Sequence, residues 1–203
     1  MKFKKNVLAI ALLSMMPTLA MSAEATSFSD AITGGKVSGM LRLRYEHVSQ
    51  DNALKNADAL TLRSLVGYQT KALNGFSANV QVYALSSVND NYNDAKKGSP
   101  INSRKQYSVI ADPEDIDFHQ AYFQWSNQEN TVKLGRQNMF LDNWRFIGDV
   151  RFRQNWAVFN GLSYVNTSLP NTTVTLAHFE KLKQVTTKLV DIQTEVINVG
   201  YKL

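Results

Sequence analysis

Strict alternation of apolar and polar residues is the feature of this sequence that most constrains its fold. Between positions 37 and 46, the odd positions are mostly apolar and the even positions mostly polar. The pattern recurs in several later segments, at 60–69, 76–84, 120–125, 131–134 and 197–203. A period of two is typical of β-strands with one apolar and one polar face, and no amphipathic helix of comparable quality competes. The sequence therefore predicts an all-β protein.

The first residues have the features of a secretory signal peptide. Lys2, Lys4 and Lys5 precede an apolar run at 7–16 that is too short to span a membrane, and small residues follow up to Ala25. We predict a signal peptide over 1–23, with cleavage somewhere between 20 and 25. The remainder, 24–203, is predicted to be one β-barrel domain.

Composition excludes several function classes. The sequence has 22 Lys and Arg residues against 17 Asp and Glu, and three of the positive residues lie in the predicted signal peptide. The positive excess that remains is small and dispersed, whereas nucleic-acid binding needs a concentrated basic face, so we expect no nucleic-acid partner. The absence of Cys excludes a thiolate metal site, and the three histidines lie far apart. We expect no enzyme activity, no metal and no cofactor. The one local acidic cluster, from Asp112 to His119, is interpreted as a solvated loop.

The connections between predicted strands alternate in length. Eight strands are predicted, near 36–48, 58–72, 75–87, 115–127, 130–138, 154–167, 172–184 and 189–203. The turns after the second, fourth and sixth are short, whereas the loops after the first, third and fifth are longer and more polar. This sorting is typical of an outer-membrane barrel with short periplasmic turns. We predict an antiparallel transmembrane β-barrel in the cell outer membrane, surrounded by lipid and lipopolysaccharide and inserted by the barrel-assembly machinery.

Aromatic residues cluster near the ends of these predicted strands. Rings with an apolar body and a polar tip prefer the headgroup level, so they form belts above and below the lipid-facing band. An alternative is that aromatic residues are simply favoured in strands. The predicted belt residues are Tyr45, Tyr68, Phe76, Trp125, Trp156, Tyr164 and Tyr201.

The polar face would line a lumen if the apolar face contacts lipid. By alternation, the lumen would carry Arg42, Arg44, Arg63 and Lys133, with Glu46 as the clearest acidic counterweight. A cationic wall in a low-dielectric tube attracts anions. The alternative is that these charges pair with carboxylates and only fill the interior of a small barrel.

Several motifs resemble the alginate-export-type porins of Gram-negative bacteria. They are Leu134-Gly135-Arg136-Gln137, Leu141-Asp142-Asn143, Arg145-Phe146-Ile147-Gly148, Arg153-Gln154-Asn155 and Asn166-Thr167-Ser168-Leu169-Pro170. The resemblance implies a barrel of about eighteen strands, passive passage of solutes and, in the namesake members, export of an anionic polysaccharide. It also implies roles in the pore lining or a constricting loop for Arg136, Arg145, Arg151 and Arg153. Arg136 is separated from Val132 and Leu134 by an even number of positions, so alternation places it on their apolar face. Only a bulge or a position above the bilayer would keep its charge out of lipid.

Eight strands are fewer than half of such a barrel, and the C-terminal strand lacks a terminal aromatic residue. We therefore expect the N-terminal part of a larger porin-like channel that passes small or anionic solutes. The alternatives are a complete eight-stranded barrel that does not conduct and has a structural or adhesive role, and an exported soluble β-sandwich.

Overall fold

The computed structural model describes residues 24–202, which lie in one antiparallel sheet preceded by a short helix. The elements are α1 (Phe28–Thr33), β1 (Lys36–Val48), β2 (Ala57–Gln69), β3 (Phe76–Ser87), β4 (Asp115–Ser126), β5 (Asn130–Gln137), β6 (Val158–Asn166), β7 (Thr172–Lys183) and β8 (Leu189–Tyr201). The sheet order is β1-β2-β3-β4-β5-β6-β7-β8. The predicted all-β antiparallel fold is confirmed. The predicted signal peptide lies outside the described residues.

The sheet is strongly curved but not closed. Over residues 24–202, β1 pairs only with β2 and β8 only with β7. Lys183 on β7 nevertheless donates from Nζ to the hydroxyl of Tyr83 on β3 at 2.8 Å. In a flat sheet, four strand spacings would separate these strands by about 19 Å. The sheet therefore has a concave face and a convex face.

The convex face is apolar and exposed. It carries Val37, Leu41, Leu43, Leu62, Val66, Val80, Phe123, Leu134, Leu162, Leu176, Ile197 and Val199, all more than a third exposed. A contiguous apolar surface of this extent marks a membrane or protein interface. A soluble sandwich would instead bury this face against a second sheet.

Two bulges shift the alternation. In the pairing of β3 with β4, Gln81 lies opposite Gln120 and Val82 opposite Phe118, so His119 is the extra residue. Because Gln81 and Val82 are adjacent, their partners Gln120 and Phe118 face opposite sides of the sheet, so the alternation of β4 changes phase at the bulge. A second irregularity occurs in β7 beside Phe179. Both bulges lie toward the end of the sheet at which the long loops emerge.

Gly135 allows β5 to lie close to β4. Its φ is +129°, and a Cβ at this position would lie 2.4 Å from the carbonyl oxygen of Ala121. We expect Gly135→Ala to destabilise the sheet by at least about 1–3 kcal/mol, because the alanine would have both a strained backbone and a backbone clash. Urea-unfolding midpoints in detergent measure this loss. Gly39→Ala is the control, since its Cβ would meet only the Leu65 carbonyl, at 3.7 Å; equal midpoints for the two variants would contradict the prediction.

Helix α1 was not predicted from the sequence. Ser27 caps it by accepting a hydrogen bond at Oγ from the Asp30 N–H at 3.1 Å. The Asp30 carboxylate accepts from the Thr26 backbone N–H and pairs with Lys71 Nζ at 3.0 Å, and these contacts lower the pKa of Asp30. The helix is thereby attached to the turn between β2 and β3. No helix within residues 24–202 has the length and apolar character needed to cross a membrane.

The longest loop, 88–114, has a small core of its own. Tyr92, Ile101 and Ile110 pack against Ala57 and Ala59 at the start of β2. Burial raises the pKa of the Tyr92 phenol to about 12. The loops after β1, β3 and β5 are longer than the turns after β4 and β6, and the connection after β7, at 184–188, is also short.

Candidate functional site: a loop anchored by arginines on the concave face

Residues 138–157, here called the strap, connect β5 to β6 and cross the concave face. Near its start, Met139 packs in an apolar cluster with Phe179. Further along, Asp142 Oδ2 accepts a hydrogen bond of 2.8 Å from Asn198 Nδ2 on β8. The last third of the strap contacts β1 and β2. One loop therefore reaches both terminal strands of the sheet.

Arg42 on β1 binds the backbone of the strap. Its Nη1 donates to the carbonyl oxygens of Arg151 and Arg153, both at 2.9 Å, and its Nη2 donates to that of Phe152 at 3.1 Å. The planar guanidinium holds several donors in a fixed arrangement, which suits consecutive carbonyl groups. Arg42 therefore fixes the path of the strap.

Arg63 on β2 lies fully buried beneath the strap. Its Nη1 donates to the Gln154 carbonyl at 2.7 Å, and its guanidinium carbon lies 4.3 Å from the centre of the Trp156 ring and 5.0 Å from that of Tyr83. Contacts with two aromatic faces offset part of the desolvation of the charge. Among the described residues, Nε and Nη2 have no hydrogen-bond partner. Arg63 thus anchors the strap but is shielded from any lumen.

Asp112 joins the strap to loop 88–114. Its Oδ1 accepts the backbone N–H of Gln154 at 2.8 Å, and its Oδ2 accepts from Arg44 and lies 3.8 Å from Arg153 Nη1. The carboxylate is almost completely buried. A buried carboxylate is stable only when it is paired and hydrogen-bonded, as this one is. Asp112 therefore couples both long loops to the sheet.

Three guanidinium groups beside the strap remain partly exposed. The exposed fractions of Arg44, Arg151 and Arg153 are 18%, 29% and 19%. Glu46 lies 2.6 Å from Arg44 Nη2 and 3.0 Å from Arg153 Nη1. Arg151 Nη2 pairs with Asp149 at 2.7 Å. The structure thus brings Arg44, Glu46 and Arg153 into one ion cluster, whereas Arg151 pairs with Asp149 and lies over the Phe140 ring, 4.3 Å from its centre.

A second ion cluster joins β3, β4 and β7. Lys183 Nζ lies 2.7 Å from both Asp115 Oδ2 and Asp117 Oδ2, and Tyr83 also accepts from it. Arg136 Nη1 contacts the same Asp117 carboxylate at 2.9 Å. The curvature of the sheet brings these distant strands together, so the cluster stabilises that curvature.

The other predicted pore residues lie apart from the strap anchors. Arg136 is in register with Ala121 on the convex side, but its guanidinium reaches Asp117 and the Phe118 carbonyl beyond the bulge in β4. Lys133 faces the concave side further down β5, and Arg145 is exposed on the strap.

Trp156 lies on the concave side and not in a belt. Its ring centre is 5.2 Å from that of His119, and its Nε1 donates to the Arg153 carbonyl at 3.0 Å. Positions 154–157, expected in the sixth strand, belong to the strap because β6 begins at Val158. The other belt candidates are on the convex face near strand ends, where their contact with headgroups stays a prediction: Tyr45, Tyr68, Phe76, Trp125, Tyr164 and Tyr201.

The acidic cluster is not a solvated loop. Asp112 and His119 are buried, and Asp115 pairs with Lys183. Gln154 and Lys183 were missed by the sequence analysis, because nothing local to either residue indicates a partner on a distant strand. No group of three or more His, Asp or Glu side chains in residues 24–202 is placed to hold a metal ion.

An antiparallel sheet with an exposed apolar convex face, a charged concave face and a loop folded inward defines the class of outer-membrane β-barrel proteins. The sequence matches the family described as Campylobacter major outer membrane protein over residues 1–198. The chain belongs to this family, whose location is the outer membrane. No curated protein matches the sequence.

Solved outer-membrane porins share the fold. Acinetobacter baumannii OccAB3 is 14% identical with a TM-score of 0.65, and the match covers 84% of this chain and 47% of that protein. Acinetobacter baumannii OccAB1 is 13% identical with a TM-score of 0.65, over 83% of this chain and 41% of that one. Pseudomonas aeruginosa OccK2 (OpdF), solved in complex with glucuronate, is 11% identical with a TM-score of 0.54, over 76% and 35%. The chain spans less than half the length of these porins.

The predicted alginate-export type is not supported, because the family match is to a different outer-membrane protein family. The motifs that suggested it occur largely in the strap and its flanking strands. An inward loop rich in Arg, Asn and Asp has similar requirements in any porin: backbone anchoring, tight turns and counter-charges.

Proposed function

We propose that this chain supplies part of the wall and the constriction of an outer-membrane channel for small or anionic solutes. The observation that carries the proposal is the set of charges at the strap. Among the groups that stay partly exposed there, Arg44, Arg151 and Arg153 are opposed by Glu46, while the carboxylates of Asp112 and Asp149 are buried. Positive charge is in excess, and at a constriction with low-dielectric walls it concentrates anions. Polysaccharide export has no support beyond this charge.

The test is the reversal potential of the purified full chain in planar bilayers under a salt gradient. The wild type is expected to be anion-selective. Arg44→Gln combined with Arg153→Gln leaves Glu46 and Asp112 in place, so anion selectivity should fall by roughly threefold or more, since potentials of several kT change local ion concentrations by such factors.

The matched control is Lys97→Gln with Lys105→Gln, which removes the same charge from exposed positions of loop 88–114. This pair should leave the reversal potential near the wild-type value, because solvent and salt screen exposed charges within about 10 Å. Equal shifts for the two double variants would contradict a selective constriction at the strap.

A second candidate function is a non-conducting barrel with a structural or adhesive role. It is favoured by the strap itself, which lies across the concave face and uses Arg42 and Arg63 as anchors. The same experiment separates the two functions: protein shown to be inserted in the bilayer but silent at all voltages would support the second.

A further inference from the structure

A groove separate from the arginine cluster lies between the strap and strands β5 to β7. Its floor has two rows of side chains. In the first row Lys133 lies opposite Ser163, and in the second Thr131 lies opposite Val165, which in turn lies opposite Thr175. Its roof is formed by strap residues 138–141, and its volume is about 330 Å³. Ligand sites begin at about this volume. The groove is thus large enough for a small organic solute.

The Lys133 side chain is the charged group of this groove. Its Nζ lies 4.9 Å from the centre of the Tyr122 ring, and no carboxylate of residues 24–202 lies within 4.0 Å of it. Lys183, also on the concave face, is satisfied by Asp115 and Asp117. A partly buried ammonium without a counter-charge attracts an anion, because burial has removed much of its hydration.

The hydroxyl groups on the floor add a second feature. Within the described part of the chain, the Thr131 and Thr175 hydroxyls make no side-chain hydrogen bond, although both residues line the groove. The Ser163 hydroxyl donates to Gln137 Oε1 at 2.6 Å and retains acceptor capacity. A bound solute that carries its own hydroxyl groups would satisfy these groups, whereas a simple apolar acid would not.

We propose that this groove binds a small hydroxylated organic monoanion, with its anionic group on Lys133 and its hydroxyl groups on Thr131 and Thr175. The inference rests on the proposed channel function, because the solute reaches the concave face through the lumen. It assigns solute binding to the wall opposite the strap anchors, where the cation is not already paired.

The test is ligand-observed NMR titration of the full chain in detergent micelles, with gluconate as the probe and acetate for comparison. The wild type should bind gluconate saturably and more tightly than acetate. Lys133→Gln should weaken gluconate binding roughly tenfold through loss of one charge-assisted contact, and Lys133→Arg should retain it within about threefold. Thr175→Val should weaken gluconate but not acetate. Retained β-sheet circular dichroism shows that each variant is folded.

Lys181→Gln is the matched control, because Lys181 is on the same strand as Thr175 but pairs with the exposed Asp191. It should bind gluconate as the wild type does. Wild-type gluconate affinity in Lys133→Gln, or equal affinity of the wild type for gluconate and acetate, would overturn the proposal. The NMR titration measures binding independently of conduction, so the two proposals can fail separately. Saturable gluconate binding by a protein that does not conduct would overturn only the channel function. Conduction by a protein whose Lys133→Gln variant binds gluconate normally would overturn only this binding site.

Discussion

Replacing Lys183 by methionine is expected to destabilise the protein by about 1.5–3 kcal/mol, the range for losing hydrogen bonds to charged groups, because the two carboxylates that it contacts are partly exposed. The Asp115 and Asp117 carboxylates both lie 2.7 Å from Lys183 Nζ, and only Asp117 retains Arg136 while Asp115 retains the more distant Lys96. Methionine fills a volume similar to that of lysine, so the loss of stability measures the contribution of the Lys183 charge. Urea unfolding of the full chain in micelles measures the effect.

Lys181→Met is the control for this variant. Lys181 lies two residues away, and its pair with Asp191 is largely exposed, so its loss should cost less than about 1 kcal/mol. Adding Asp115→Asn and Asp117→Asn to Lys183→Met should restore part of the stability, because Lys183 contacts both Asp115 and Asp117 and neutral amides do not need that counter-charge. If the triple variant is no more stable than Lys183→Met, packing and not charge explains the cluster.

Replacing Arg42 by methionine is expected to release the polar end of the strap. Three backbone carbonyls lose their donor, and unsatisfied polar groups cost about 1–3 kcal/mol each, part of which water recovers in an opened strap. A net loss of about 2–4 kcal/mol would raise the open population roughly 30-fold to several hundred-fold. Amide hydrogen exchange at Gln154, whose N–H is bound to Asp112, should accelerate by this factor.

Arg104→Met is the control for strap release. Arg104 is paired with Asp90 at the surface of loop 88–114, so exchange at Gln154 should not change. Bilayer recordings of Arg42→Met should show larger or noisier conductance than the wild type if the strap narrows the channel. Unchanged exchange at Gln154 would show that the contacts of Gln154 and Arg63 hold the strap without Arg42.

The attachment of the strap explains why so many charged residues face the concave side. Its apolar start packs on β6 to β8, and its polar end is fixed to β1 and β2 by Arg42, Arg63 and Gln154. Backbone carbonyls that leave water need donors, and guanidinium groups supply several from one side chain. The arginines near the strap therefore divide into anchors and partly exposed groups, and only the exposed groups can act on a solute.

The sequence by itself determined the strands and which of their faces is apolar. Alternation at a period of two depends on neighbouring positions only, so the sequence locates β1, β2 and β3 to within a few residues. It also separates the short turns after β4 and β6 from the longer loops after β1, β3 and β5. Where a bulge at His119 adds one residue, the same rule loses the phase within β4. Arg136 on β5 keeps the convex-side position that alternation gives it, and only its long side chain reaches Asp117.

Only the tertiary structure decided what the charges do. Arg63 contacts Gln154 and Lys183 contacts Asp115 across 91 and 68 positions of sequence. Such contacts depend on sheet curvature and on the path of one loop, neither of which leaves a local periodic pattern. For the same reason the sequence predicts an aromatic-belt position for Trp156, which instead lies on Arg63, and it groups Lys133 with the arginines, although Lys133 lies in a groove of its own. The sequence thus determines the faces of the strands, and long-range packing determines the site.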